Sequence, residues 1–285
     1  MSIRPSSRNA LARISIRLRG LVFVAVAATV SRPALADREI FDLTELQTTG
    51  RVVTAEFADF DGDGIKDLMI ATLDGVPPDE SRLIHLYLGL PDRTFADVPS
   101  RSISIPELSA VYDIADLRET PGEELIVLQP DGVTILSLAD DQARQWHLAV
   151  DGPSTVGAGA DERVFDPYRL VYDDFDDEPW ILVPQLGQVA AILGDGTPLG
   201  SLNVGRRTNY FVTKSSGLLS VETDIQLYYD APKLSIGDVD GDGLADIVAT
   251  TRHEIRVFLR EADRAFQFDP SYALPLGLVN REDHA

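Results

Sequence analysis

One pattern occurs twice in this chain, 179 residues apart, and it limits the fold more than any other feature. It reads D-x-D-G-D-G-x-x-D and is followed at once by a short apolar run. The first copy runs from Asp59 to Asp67 ahead of Leu68, Met69 and Ile70; the second runs from Asp238 to Asp246 ahead of Ile247, Val248 and Ala249. Carboxylates at loop positions 1, 3 and 5 can converge on one side of a tight turn. Glycines at positions 4 and 6 permit the positive φ angles such a turn requires. The position 7 carbonyl points inward, and the position 9 aspartate adds further oxygens. The spacing therefore predicts two metal sites. One uses Asp59, Asp61, Asp63, the Ile65 carbonyl and Asp67; the other uses Asp238, Asp240, Asp242, the Leu244 carbonyl and Asp246. An oxygen-only site with about six or seven ligands suits Ca²⁺. Mg²⁺ takes fewer protein ligands in a strict octahedron, and zinc calls for His or Cys.

An EF-hand loop would need a bidentate glutamate at position 12, where this chain has Ile70 and Ala249. Its flanks would be amphipathic helices, whereas these flanks are short β-type runs. The plainer alternative is an Asp/Gly turn between two strands, since Asp-Gly pairs favour turns on their own. Two copies sharing six identical positions argue for the cation, because four unneutralised carboxylates in one loop repel each other.

Two degraded copies lie between the intact loops. Asp116 to Leu125 keeps the ten-residue frame, with Asp116 and Glu124 at positions 1 and 9. Arg118 and Thr120 replace two of its carboxylates, and the arginine supplies a cation of its own, so no metal is expected there. The third copy begins at Asp174 and is shortened; Asp174, Asp176 and Glu178 are its candidate weak ligands. The four starts are spaced by 57, 58 and 64 residues. Each period reads as four strand-like runs punctuated by Gly, Pro and Asp, with no 3.6-residue apolar period. Strands are expected at 51–57, 67–72, 83–88 and 94–103; 110–114, 124–128, 133–138 and 145–150; 169–172, 180–183, 189–193 and 202–212; and 233–237, 246–251, 254–259 and 265–268. The stretch 213–232 reads as an inserted hairpin or long loop. The expected fold is all-β, a β-propeller of about four four-stranded blades or a truncated larger propeller.

The loops and the strands after them resemble FG-GAP/VCBS repeats, the calcium-loop blades of integrin α-subunit heads and many exported bacterial proteins. Leu86 to Phe95 is similar to the blade-closing stretch of the VCBS pattern, and Val257 to Phe266 is a second match. The resemblance implies that each loop joins the first two strands of a blade and binds Ca²⁺ through the ten residues named above.

The first 36 residues carry six arginines and no acid, then an apolar run from Leu21 to Val30, then Ala34-Leu-Ala36. This is the order of a secretory signal peptide, with cleavage expected after Ala36 and a mature chain of residues 37–285 in the periplasm or outside the cell. Ten apolar residues fall short of the roughly 20 that span a membrane, so no insertion is expected after cleavage. Over the whole chain 46 acids face 25 bases, a formal charge of -21. Loss of the six arginines deepens it to -27. Such a surface repels phosphate backbones, which argues against nucleic-acid partners. The absence of cysteine removes disulfides, thiolate metal sites, cysteine nucleophiles and lipobox anchors together.

No catalytic constellation stands out. None of the four histidines sits in a metal-binding spacing, and His85, in the alternating run Leu83 to Tyr87, is expected on a solvated strand face. Ser215 lacks a strand-turn-helix setting, and Gly157 to Glu162 is half of a dinucleotide fingerprint, better read as a loop. A glycosidase acid pair could hide within Asp173 to Glu178. Trp146, Trp180, Tyr210, Tyr228 and Tyr229 are candidates for stacking on sugars or peptides, with core packing the commoner role. Two functions follow: a non-catalytic binding or adhesion module for a protein or carbohydrate ligand, and a polysaccharide lyase or hydrolase on a propeller scaffold.

Overall fold

The computed structural model describes residues 12–13, 45–75, 80–106, 108–139, 144–155, 164–173, 178–205, 208–216, 221–229, 232–261 and 266–276. Most of the expected signal peptide, residues 174–177 of the third loop and Gly157 to Glu162 lie outside them. Among the described residues the protein is all-β, with four separate antiparallel sheets and no helix. A two-residue pairing joins β1 (Ala12–Arg13) to β2 (Gln47–Thr48). The first sheet has the order β3 (Arg51–Ala58), β4 (Asp67–Asp74), β5 (Ser81–Tyr87) and β6 (Arg101–Ser104). The second runs β7 (Val111–Ala115), β8 (Glu124–Gln129), β9 (Gly132–Ser137) and β10 (Arg144–Ala149), with β11 (Asp166–Pro167) laid parallel to β7. The third is β12 (Val171–Tyr172), β13 (Trp180–Pro184), β14 (Gln188–Leu193) and β15 (Pro198–Asn203). A separate hairpin, β16 (Thr208–Ser216) and β17 (Val221–Tyr229), precedes the fourth sheet of β18 (Lys233–Gly237), β19 (Asp246–Thr250), β20 (Glu254–Phe258) and β21 (Tyr272–Pro275).

The alternating and all-apolar runs become strands as expected, but three boundaries move for local reasons. In the first sheet β6 begins at Arg101, not Thr94. A turn with Arg93 at φ 68 is closed by the Leu90 N–H to Thr94 carbonyl bond, leaving Phe95 as a single bridge to Gly89. In the fourth sheet Phe266 likewise makes a single bridge to Arg260, and the last strand is Tyr272–Pro275 and not 265–268. The expected strand 202–212 breaks in two at Gly205, whose φ of +79 ends β15, and the inserted hairpin starts at Thr208.

Two compact units emerge: Met1–Phe57 with Ile65–Ser104, and Ala58–Gly64 with Ile105–Ala285. In the first, Leu46, Leu68, Ile70 and Tyr87 form a buried cluster with Val52 and Phe95 against it. In the second, three sheets stack face to face, and the two-residue period of the strands explains how. On β13 and β14, Ile181, Val183, Ala190 and Ile192 meet Ile126, Leu128, Val133 and Ile135 of the second sheet. The alternate residues Trp180, Leu182, Val189 and Ala191 meet Leu234, Ile247, Ala249 and Phe258 of the fourth. Each fully buried Ile or Leu side chain contributes about 1.5–3 kcal/mol, which makes these two seams the main source of stability. Polar ties lie beside them. Asp113 Oδ2 accepts the Leu170 and Val171 N–H groups at 2.7 and 2.8 Å. Arg256 donates to the Asn203 carbonyl at 2.9 Å and pairs with Glu254 at 3.0 Å.

Candidate metal centre

The loop between β18 and β19 shows how the sequence pattern works. Asp238 accepts the Gly241 N–H on Oδ1 at 2.7 Å and the Gly243 N–H on Oδ2 at 3.1 Å. Asp240 accepts the Asp242 N–H at 3.1 Å, and Asp242 accepts the Leu244 N–H at 2.8 Å. Gly241 and Gly243 have φ of +84 and +88, so a side chain at either would strain the turn. The loop between β3 and β4 repeats three of these four bonds. Asp59 accepts the Gly62 and Gly64 N–H groups at 2.8 and 2.9 Å, Asp61 accepts the Asp63 N–H at 3.1 Å, and the two glycines have φ of +77 and +85.

These bonds gather carboxylates. One oxygen each from Asp238, Asp240 and Asp246 lie within 4.8 Å of one another. Oxygens held at 2.3–2.6 Å around one Ca²⁺ can be no more than about 5 Å apart, so the three fit a single ion. The donor set is oxygen only, which favours a hard cation over zinc. In the first loop Asp59 and Asp61 approach each other within the same limit. Asp63 and Asp242 stay at the exposed tip, and Ile65 and Leu244 are half-buried at position 7.

Position 9 does more than its spacing suggests. Asp246 is fully buried, with Oδ2 accepting the Val239 N–H and Oδ1 the Arg260 N–H, both at 2.8 Å. It ties the loop to the end of β20. Asp67, also buried, accepts the Gly89 N–H at 2.8 Å, and Gly89 holds the place of Arg260 beside its bridging phenylalanine. In the degraded second copy the buried Glu124 accepts the Leu117 N–H at 2.8 Å, with Thr120 donating its hydroxyl to the other oxygen. In these three loops the position 9 acid is thus a loop staple.

Arg118 of the second loop lies 5.4 Å from the ring centroid of Trp146 on β10. Hydrogen bonds from Thr197 lower the pKa of Asp195, with the Arg118 charge a smaller cause. Glu178 of the third loop is exposed.

Sequence reasoning missed Glu123. Its Oε2 accepts the Asp59 N–H and its own N–H donates to the Asp59 carbonyl, both at 2.7 Å. The repeat spacing contains the signal, because Glu123 occupies position 8 of the next loop. His85 is also corrected. It is buried, with Nε2 3.0 Å from Thr72 Oγ1 and Nδ1 2.7 Å from Ser102 Oγ, and burial lowers its pKa. The first sheet is covered on both faces at β5, so alternation there does not mean solvent. Trp180 is a core residue, edge-on to Phe266 at 5.6 Å. Ser215 lies within β16 opposite Glu222.

No protein-family model matches the chain, and no curated protein matches it.

Proposed function

We propose that the protein is an exported, calcium-stapled β-propeller of the FG-GAP/VCBS kind that serves as a non-catalytic binding or adhesion module. The observation that carries this reading is the repetition of one loop geometry, bond for bond, at Asp59–Gly64 and Asp238–Gly243. The face-to-face stacking of consecutive four-stranded sheets supports the blade reading. A bound Ca²⁺ would supply two positive charges to each intact loop. Asp59, Asp61, Asp63, Asp67 and the Ile65 carbonyl hold the first ion; Asp238, Asp240, Asp242, Asp246 and the Leu244 carbonyl hold the second.

Calorimetry on residues 37–285 tests the calcium reading, with about two Ca²⁺ per chain expected. Mg²⁺ replacing Ca²⁺ without loss of affinity contradicts it. Glycan-array binding without turnover on a polysaccharide panel supports the binding role, whereas cleavage of any polysaccharide favours the enzyme. The mature N-terminus in secreted or periplasmic material should be Asp37, and a chain retaining Met1 in the cytoplasm contradicts export.

A further inference from the structure

Away from the acidic loops, the second unit holds an open cavity of about 560 Å³ between residues 167–172 and 232–236. β12 and β18 are edge strands of different sheets, and no ladder joins them among the described residues. The Tyr168 hydroxyl spans the gap instead, donating to the Pro232 carbonyl at 3.1 Å.

The chemistry of the walls runs against the rest of the chain. Acids outnumber bases nearly two to one overall, yet among the described residues the lining carries Arg169 and Lys233 and no carboxylate. Arg169 is held in place: its guanidinium lies 4.4 Å from the ring centroid of the buried Tyr172, and Nε donates to the Val171 carbonyl at 3.1 Å. On β18 the pattern of exposure puts Lys233 and Ser235 on one face and Leu234 in the core. Asp173 reaches the rim, 3.4 Å from Arg169 Nη2, but both partners are mostly exposed and such a pair is readily exchanged. A held guanidinium, an ammonium and a hydroxyl on a concave wall of this size form a site for a small anion.

We propose that this cavity binds a small organic carboxylate through Arg169 and Lys233. The inference gives the binding role proposed above one ligand class and rests on that role, and it does not depend on calcium. The test is an NMR titration of residues 37–285 with succinate, and with uncharged succinamide as a control of the same size. Both are run in Ca²⁺ and in EDTA, so that loss of the metal sites is scored apart from loss of this one. Succinate should saturate with a Kd of about 1 mM, shifting signals of residues 167–172 and 232–236, and succinamide should bind at least about tenfold more weakly. Lys233→Gln and Arg169→Gln should each weaken succinate about tenfold. Should Arg169→Gln unfold the third sheet, the exposed Lys233→Gln alone decides. Equal binding of the two probes, no saturable shift in either buffer, or full affinity in Lys233→Gln overturns the proposal.

Discussion

At the scale of single residues, two side chains make sharp tests. Asp240 sits in the three-carboxylate group of the last loop, and its bond to the Asp242 N–H lies in an exposed turn. Asp240→Ala should therefore lower the Ca²⁺ stoichiometry from about two to one while leaving the metal-free melting temperature within a few degrees. An unchanged stoichiometry would remove the last loop from the metal reading. His85 makes a prediction about pH. Its pKa is lowered in the folded state because burial penalises the imidazolium. The fold binds fewer protons there than the unfolded chain, whose histidine titrates near 6.5. The stability it contributes is present above that pH and is lost as pH falls below it. Urea unfolding at pH 7.5 and pH 5.5 should show wild type losing more stability than His85→Gln. Equal losses would mean that the Thr72 and Ser102 hydroxyls accommodate the charged ring.

At the scale of elements, the two intact loops share a sequence but not a setting. Asp59–Gly64 is clamped by the loop of the next sheet: Glu123 bonds both backbone groups of Asp59, and a Cβ on Gly62 would lie 2.7 Å from the Gly122 nitrogen. Around Gly241 and Gly243 a Cβ would meet nothing within 4 Å, and Asp238 and Asp240 are exposed. A site ordered before binding loses less freedom on binding. The calcium isotherm should accordingly have a tighter and a weaker phase, with Glu123→Gln weakening only the tighter. Two identical phases in wild type would refute the clamp. Gly122 carries the same contact: at φ +83 its Cβ would fall 2.5 Å from the Phe60 carbonyl oxygen. Gly122→Ala should cost about 1–3 kcal/mol in denaturant unfolding. A loss below about 0.5 kcal/mol would show that the two loops part freely.

At the scale of the whole molecule, charge decides how calcium is felt. A chain at -21 repels itself, and the intact loops concentrate that charge. Binding that favours the folded state adds about 2.7 kcal/mol per site at a hundredfold excess over Kd. For a chain of this size this raises the melting temperature by roughly 5–10 °C per loop. Melts in EDTA, excess Mg²⁺ and excess Ca²⁺ should separate, with Ca²⁺ highest. Coincident curves would leave the D-x-D-G-D-G-x-x-D loops as turns alone.

The β class, the strand pairs around both loops and the Asp59 and Asp238 turns were all legible in the residue order. Each depends on contacts within about ten residues: alternation for the strands, and Asx bonds with left-handed glycines for the turns. What lies farther along the chain was settled only by folding. Phe95 reads as strand but serves as a bridge, because the turn at Arg93 before it spends the register first. His85 reads as solvated but is buried, because a strand's period tells which residues share a face and not what covers that face. Glu123 meets Asp59 across 64 residues, Asp246 meets Arg260 across 14, and Arg169 and Lys233 line one cavity. Such pairings depend on how whole sheets stack, and stacking is decided by summed side-chain volumes on facing strands rather than by any local pattern of residues.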